Sequence, residues 1–337
     1  MLVYILILIT ILLFSLLENN VSKKTKNCFF LFSLCLLWFI SAFRSYNVGT
    51  DTLNYLYNYN NLNLADVRGV EYGWYSLCWI CKSIFSSYRV LLILVSFFTL
   101  YYISKSICKT SSNKCLSLFY FVSFYFYFQS FNISRQMLAV AIVLYAITFI
   151  EERNLKKYFM YILLATSIHT TAITMLPLYF FLNLRISNFL GVVLIILSFV
   201  ISSKIIPFIL LIFANLEGYT KYMLSELKDE TYISTNLIFH SVIALLYLFF
   251  NKKNTYLYTI AFMGLLVVNS LSLIDVVGRI GIYMKITFIL ILPQINTIFK
   301  QQIIDYFFKY GLALLLFLVC IVMLLANTEG VYPYSFL

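Results

Sequence analysis

The sequence has few charged residues and few histidines, and both shortages exclude classes of protein. Only 11% of the 337 residues are charged, whereas 62% are hydrophobic and the mean hydropathy is +0.92. A soluble fold of this length has no use for so much apolar surface, so a water-soluble enzyme or binding domain is excluded. The two histidines, His169 and His240, lie far apart in the sequence, and no metal site is predicted from them.

Basic runs interleaved with aromatic residues on a polar face are also missing, so the net charge of +11 does not indicate nucleic-acid binding. The lysines lie in short loops between apolar runs, where positive charge sets the orientation of a membrane protein. All seven cysteines lie in or beside apolar runs. Cys78 and Cys81 have the spacing of a redox motif but lack its soluble βαβ context, so we interpret them as buried membrane cysteines.

Long apolar runs dominate what the sequence does contain. Runs of roughly 17–25 apolar residues predict transmembrane helices, and the short alternating segments of membrane β-strands are missing. We therefore predict an all-α polytopic membrane protein of about 10–12 transmembrane helices. No internal repeat or soluble domain is visible, so residues 1–337 are expected to form a single transmembrane domain. The apolar runs are 2–17, 28–43, 90–107, 115–131, 135–150, 158–182, 189–213, 234–250, 256–274, 280–298 and 311–326.

Loop charges predict how these runs are oriented. Lysine-rich loops are cytoplasmic under the positive-inside rule, which leaves the polar loops 44–71 and 214–233 on the outer side. The charges of successive loops agree with this rule if 72–87 is an interfacial or re-entrant helix and 158–182 is a hairpin that turns near His169. A kink at Pro207 in the run 189–213 is the alternative to the hairpin.

Several arginines are distributed differently from the lysines. On this topology they lie at helix ends on the outer face, together with acidic residues and with His169 below them. Arginine offers a planar, permanently charged fork that suits phosphate, so the cluster indicates a bound polyanion such as a lipid-linked phosphate. The alternative is that each arginine separately reaches a lipid headgroup. The residues are Arg44, Arg68, Arg135 and Arg279, with Asp51, Asp66, Glu71 and Asp275.

The stretch 44–55, Arg-Ser-Tyr-Asn-Val-Gly-Thr-Asp-Thr-Leu-Asn-Tyr, resembles the Arg…Gly-Thr-Asp…Tyr signature of the EpsG-like family. That family groups with the Wzy O-antigen and exopolysaccharide polymerases. Three later segments resemble its further blocks in the same order: Arg135-Gln136, Lys157…Ala165…Ile168-His169-Thr-Thr-Ala…Leu-Pro177, and Gly278-Arg279-Ile…Tyr283. The resemblance covers about residues 38–295.

The resemblance implies a GT-C-like membrane glycosyltransferase in the bacterial inner (plasma) membrane, with its active site on the periplasmic or outer face. The reaction would transfer a growing glycan from undecaprenyl pyrophosphate to a lipid-linked repeat unit, as in O-antigen and lipopolysaccharide synthesis. The expected partners are the undecaprenyl-pyrophosphate-linked oligosaccharide, membrane lipids and a chain-length regulator protein, and no cofactor is expected. A ligase for the same lipid-linked glycan and a flippase or transporter of it remain alternatives, although a transporter typically has repeated halves.

The implied chemistry assigns roles to individual residues. Departing pyrophosphate needs cations, so Arg135 and Arg279, with Arg44, are predicted to bind it. The acceptor hydroxyl needs a base, for which His169 and Asp51 are the candidates.

Further contacts with the glycan are expected from hydroxyl groups and rings on the outer side. Hydrogen bonds to sugar or phosphate oxygens are predicted for Thr50, Tyr55 and Tyr283. Aromatic residues of the outer side suit stacking on sugar rings, although an interfacial aromatic belt explains them equally. They are Tyr46, Tyr57, Tyr59, Trp74 and Tyr75. A carboxylate cluster of metal-binding type is missing, which favours a metal-independent mechanism.

Overall fold

The computed structural model describes residues 1–63, 71–181, 185–205, 235–251, 255–273, 278–299 and 301–336. Over these residues the chain is helical without any β-strand, and the all-α prediction is confirmed. The predictions for Asp66, Arg68, Pro207, Asp275 and the loop 214–233 lie outside the described residues. The helices are α1 (Leu2–Leu17), α2 (Lys23–Ala42), α3 (Thr52–Asn60), α4 (Tyr72–Phe85), α5 (Tyr88–Thr110), α6 (Lys114–Ser123), α7 (Phe126–Asn132), α8 (Ser134–Glu151), α9 (Leu155–Ile168), α10 (Asn188–Val200), α11 (Thr235–Phe250), α12 (Tyr256–Ser270), α13 (Ile282–Lys285), α14 (Phe288–Ile291) and α15 (Gln302–Leu325).

Five of the described helices are long and apolar enough to cross a membrane: α2, α5, α8, α15, and α10 with its π-helical continuation to Ile205. Shorter apolar helices of 10–17 residues include α1, α6 and α12. The polytopic membrane architecture is therefore confirmed. The number of crossings beyond five stays a prediction.

Short polar residues start many of these helices. The side chains of Ser22, Asn113, Asn154 and Thr255 each accept a hydrogen bond from a backbone N–H in the first turn of the following helix. Such a cap contributes typically about 1 kcal/mol, since it satisfies an N–H that the helix itself leaves unpaired. The polar residues at these positions therefore fix where the next apolar helix begins.

Two runs that were predicted as continuous helices are broken, and the prediction was wrong there. In the run 115–131, α6 ends at Ser123 and α7 begins at Phe126 because Tyr125 adopts a left-handed conformation with φ of +73°. The run 280–298 begins in a 3₁₀ turn at Arg279–Gly281, continues through the short helices α13 and α14, and is followed by a 3₁₀ turn at Leu292–Gln294. Apolar composition alone does not show where a buried helix stops.

The described chain groups into two compact units. The first comprises Met1–Phe180, Leu292–Gln294 and Lys309–Leu337, and the second comprises Phe181–Ile291 and Ile295–Phe308. In the first unit α8 is almost entirely buried and packs against α5 and α9. In the second unit α12 packs against α10 and α13. That the whole chain forms one domain stays a prediction.

The chain reverses direction at His169. Helix α9 ends at Ile168, His169 is extended, and a 3₁₀ helix follows over Thr170–Phe181. The Tyr158 hydroxyl donates to the Met175 carbonyl, and its ring lies 5.4 Å from that of Tyr179. If the chain continued straight beyond His169, Met175 and Tyr179 would lie more than about 15 Å from Tyr158. The predicted hairpin turn at His169 is confirmed, and its depth in the membrane stays a prediction.

Helix α4 matches the predicted interfacial or re-entrant segment in length. Its 14 residues extend about 21 Å, which is short of the roughly 30 Å of a bilayer's hydrocarbon core. The helix packs against α5 and α9 in the first unit. This packing brings the residue that precedes α4, Glu71, to the turn that carries His169.

Candidate functional site

Arg135 lies in the first turn of α8 and is the centre of the candidate site. A helix N-terminus carries a partial positive charge, so a cation there is unfavourable unless an anion accompanies it. The anion in this structure is Glu71, whose Oε2 lies 2.5 Å from Nη1 of Arg135. The Nε of Arg135 is buried and has no hydrogen-bond partner among the described residues. Glu71 therefore uses only part of the donor capacity of Arg135, whose side chain remains partly exposed.

The Glu71 carboxylate joins Arg135 to the turn after α9. Its Oε1 lies 2.7 Å from Nδ1 of His169 and also accepts the backbone N–H of Thr170 at 3.1 Å. Burial alone would raise the pKa of Glu71, but the hydrogen bonds from His169 and Thr170 and the charge of Arg135 outweigh it. The pKa is therefore held below its usual value.

An ionised Glu71 determines which nitrogen of His169 carries a proton. A carboxylate can only accept hydrogen bonds, so Nδ1 of His169 must be the donor in this pair. In the neutral imidazole, Nε2 is then the acceptor. This is the form that a general base requires, with its ring orientation fixed by the carboxylate behind it.

A glycine allows this close approach of α4 and α9. A Cβ on Gly73 would lie 3.0 Å from the carbonyl carbon of Ser167, two residues before His169. Any larger residue would force the two helix ends apart. Gly73 therefore helps to hold Glu71 within hydrogen-bonding distance of His169.

Asp51 comes from a tight turn that is tied to the start of α8. Gly49 has φ of +97°, a conformation that favours glycine, and a Cβ there would lie 2.7 Å from Oδ1 of Asn132. The same Oδ1 accepts the backbone N–H of Asp51 at 3.4 Å. Asn132 lies just before α8, so the turn and Arg135 share one anchor.

Arg44 and Thr52 fix the two ends of this turn. The Arg44 guanidinium is buried, donates to the carbonyls of Ser41 and Phe131, and lies 4.6 Å over the Phe131 ring. The Thr52 hydroxyl donates to the carbonyls of Val48 and Phe131. One residue on each side of the turn thus donates to the same carbonyl, that of Phe131. This geometry favours a structural role for Arg44, while its predicted contact with pyrophosphate stays untested.

The C-terminal segment covers the same turn. Backbone N–H groups of Gly49 and Thr50 donate to the carbonyls of Gly330 and Glu329. The Asn132 side chain donates to the Glu329 carbonyl at 2.7 Å and to its carboxylate. Residues from opposite ends of the sequence therefore cooperate to place Asp51.

A cavity of about 260 Å³ opens between α3 and α4. Asp51 and Tyr55 line it from the α3 side and Arg135 lines it from the start of α8. The sequence-based predictions for these three residues converge at this cavity. The remaining lining residues are Asn54, Asn58, Tyr59, Leu62, Trp74, Tyr75, Cys78 and Leu91.

Tyr55 links the cavity to the N-terminus of α8. Burial raises the pKa of Tyr55, an effect that the positive charge of Arg135 partly offsets. Its ring lies 5.8 Å from that of Trp74 at an interplanar angle of 65°, which is an edge-to-face contact. Of the aromatic residues predicted to stack on sugars, Tyr59, Trp74 and Tyr75 line the cavity, whereas Tyr57 is exposed.

The other predicted site residues are not among those that line this cavity. Thr50 is exposed beside the cavity, with its backbone bound to Glu329. Arg279 and Tyr283 belong to the second unit, where Arg279 begins a 3₁₀ turn and Tyr283 is fully buried. That Arg279 shares a pyrophosphate with Arg135 therefore stays a prediction.

Sequence reasoning placed Glu71 near the arginines but gave it no role, and it did not identify Asn132. Glu71 is the acidic residue directly before an aromatic helix, which was a usable signal. Asn132 had no signal of its own, because its importance depends on contacts with residues about 80 and 200 positions away in the sequence.

A match to a protein-family model covers nearly all of these elements. The model of the EpsG family matches residues 27–336, which include the Gly49 turn, Glu71, Arg135, His169 and the C-terminal segment. The chain belongs to the EpsG family. Comparisons with curated proteins and with solved structures gave no match. Membership supports a polysaccharide-polymerase-like role in general terms for this multi-pass membrane protein.

Proposed function

We propose that this EpsG-family protein is a membrane glycosyltransferase that polymerises a polysaccharide. It would transfer a growing glycan from undecaprenyl pyrophosphate to a lipid-linked repeat unit at the outer face of the bacterial plasma membrane. The observation that carries the proposal is the cavity that Asp51 and Arg135 line together at the N-terminus of α8. A carboxylate and a cation at one cavity are the two groups that such a transfer requires.

The proposed step breaks the bond between C1 of the donor glycan and the pyrophosphate oxygen, and undecaprenyl pyrophosphate leaves. A new bond forms between C1 and a hydroxyl oxygen of the acceptor, whose proton passes to the base. Arg135 would hold the leaving pyrophosphate through the donors that Glu71 does not use, helped by the N–H groups at the start of α8. Arg279 is proposed as a second cation for the same group.

Asp51 and His169 both remain candidates for the base. Asp51 lines the cavity itself, whereas His169 does not and instead contacts Glu71, which pairs with Arg135. The geometry therefore favours Asp51 as the base, with the His169–Glu71 pair orienting Arg135. The arginines supply positive charge for the leaving group, so we retain the metal-independent mechanism expected from the sequence.

The test is an assay of the purified protein in lipid nanodiscs with a single lipid-linked repeat unit as the sole substrate. A polymerase lengthens this substrate into a ladder of lipid-linked products. Transfer only when a separate glycan acceptor is added would indicate a ligase. Movement of the intact unit across vesicle membranes without bond formation would indicate a transporter, and either result would overturn the proposal.

A further inference from the structure

We propose that the cavity between α3 and α4 is a subsite for one pyranose ring, the terminal sugar of the acceptor, and that Asn54 and Asn58 recognise its hydroxyl groups. The inference rests on the proposed function, because only a glycan-transferring enzyme has an acceptor sugar to hold. Nothing in the proposed chemistry itself requires these two amides, so they need an explanation of their own.

The spacing on α3 places polar groups in a row along the cavity. Asp51, Asn54, Tyr55 and Asn58 follow the i, i+3, i+4, i+7 pattern of one helix face, and all four line the cavity. Asn54 and Asn58 lie about 5 and 11 Å from Asp51 along the helix axis. Each carboxamide offers two donors and an acceptor, which matches hydroxyl groups that both donate and accept.

The opposite wall is aromatic and comes from α4. Trp74 is buried and held in place by its edge-to-face contact with Tyr55, while Tyr75 beside it is partly exposed. A pyranose ring has an apolar C–H face and a rim of hydroxyl groups. The cavity combines these rings with the two amides of α3, beside which Tyr55 and Tyr59 also lie, so it offers contacts to both surfaces of such a sugar.

The size of the cavity limits what it can hold. Pockets for drug-sized ligands are usually about 300–1,000 Å³, whereas this cavity is about 260 Å³. One sugar ring suits this volume, and the rest of a repeat unit would extend beyond the cavity. A lipid acyl chain is disfavoured because it would offer no hydrogen-bond partner to Asp51, Asn54 and Asn58.

The position of Asp51 identifies the sugar as the acceptor's. A base that lines the cavity removes a proton from a hydroxyl group inside it, and the acceptor supplies the reacting hydroxyl. Arg135 at the same cavity would place the donor pyrophosphate next to that hydroxyl. The two amides further along α3 then select which sugar can present a hydroxyl to Asp51.

The first experiment measures sugar binding without turnover. Saturation-transfer NMR with a panel of methyl pyranosides is recorded on the wild-type protein, the double variant Asn54→Ala/Asn58→Ala and the control Asn60→Ala. Asn60 is exposed on the same helix and does not line the cavity. At least one glycoside should give a signal with the wild type and the control, and this signal should fall at least about fivefold in the double variant.

The second experiment measures chain growth with the single lipid-linked repeat unit varied at a fixed, saturating amount of lipid-linked polymer. The double variant should raise the KM for the repeat unit about tenfold, the loss expected for two hydrogen bonds, and leave kcat within about twofold. Asn60→Ala should match the wild type. A raised KM supports the subsite even where free glycosides bind too weakly to be seen.

The two experiments separate failure of the subsite from failure of the proposed function. Chain growth with an unchanged KM in the double variant overturns the subsite and leaves the polymerase intact. Amide-dependent glycoside binding without any chain growth supports a sugar site and overturns the polymerase. Where the KM is not raised, equal glycoside signals in all three proteins overturn the subsite, and so does the absence of any signal together with the absence of chain growth.

Discussion

Nδ1 of His169 lies 2.7 Å from Oε1 of Glu71, and the other oxygen of that carboxylate lies 2.5 Å from Nη1 of Arg135. The Glu71 side chain therefore connects a candidate base, His169, with a candidate pyrophosphate-binding residue, Arg135. The three residues come from separate helical segments, so the arrangement exists only in the folded chain. A pyrophosphate at Arg135 would bind the guanidinium donors that Glu71 leaves unused.

Replacing Glu71 with Gln should lower the rate of chain growth by up to about 100-fold, the scale expected when a group that positions the substrate is slightly misplaced. Gln keeps the shape, but it removes the charge that pairs with Arg135 and that fixes the proton on Nδ1 of His169. The measurement is kcat for repeat-unit addition at normal protein yield. Glu152→Gln, which removes a half-exposed carboxylate paired with Lys109, is the control and should have little effect. Equal rates for both variants would contradict a role for Glu71.

The same carboxylate predicts how stability depends on pH. In the folded protein the pKa of Glu71 is lowered below 4.5, so its contribution to stability is fully present above that value and is lost as the pH falls through the folded pKa. The unfolding temperature of the wild type should thus decrease more between about pH 5 and about pH 3 than that of Glu71→Gln. Thermal unfolding followed by tryptophan fluorescence measures this difference. Parallel curves for the two proteins would show that the Glu71 contacts do not stabilise the fold.

Replacing Arg135 with Lys should reduce chain growth steeply while leaving protein yield unchanged. Lysine keeps the charge but loses the planar fork that contacts Glu71 and would contact two phosphate oxygens. Steady-state rates at saturating substrate measure the effect, with Arg279→Lys tested in parallel. Arg153→Lys, at an exposed position away from the cavity, is the matched control. Normal ladders from both the Arg135 and Arg279 variants would favour simple contacts with lipid headgroups.

Much of the fold and part of the site could be predicted from the sequence. Apolar runs and lysine loops are local signals, so they predicted the helices and the reversal at His169. The Gly-Thr-Asp stretch and Arg135 were recognisable as motifs, and the structure brings Asp51 and Arg135 to one cavity. The contact between Glu71 and His169 spans 98 residues, and no local pattern encodes such a pairing. The helix break at Tyr125 was missed because a backbone dihedral leaves no trace in hydrophobicity.

Two glycines should be intolerant of alanine, and a third should accept it. Gly49→Ala would put an alanine at a positive φ and its Cβ against the Asn132 side chain. Gly73→Ala would put a Cβ against the backbone of Ser167. Each should lower the free energy of unfolding by about 1–3 kcal/mol and disturb the positions of Asp51 or Glu71. Gly311 has no atom within 4 Å of an added Cβ, so Gly311→Ala is the control. The measurements are unfolding temperature and chain growth, and a tolerated Gly73→Ala would show that α4 and α9 can separate without loss.

The roles of Asp51 and His169 can be separated by two conservative variants. If Asp51 is the base, Asp51→Asn should keep the fold and substrate binding but lower turnover by about 100-fold or more, the usual scale for a lost acid–base group. His169→Gln should then cause a smaller loss, because Gln can still donate to Glu71 while Arg135 stays in place. If His169 is the base, the order of the two effects reverses. Turnover and binding of lipid-linked repeat units by the purified variants decide between these outcomes. A His169→Gln variant without turnover that still binds substrate, beside an active Asp51→Asn variant, would assign the base to His169 and leave Asp51 as a contact for the acceptor.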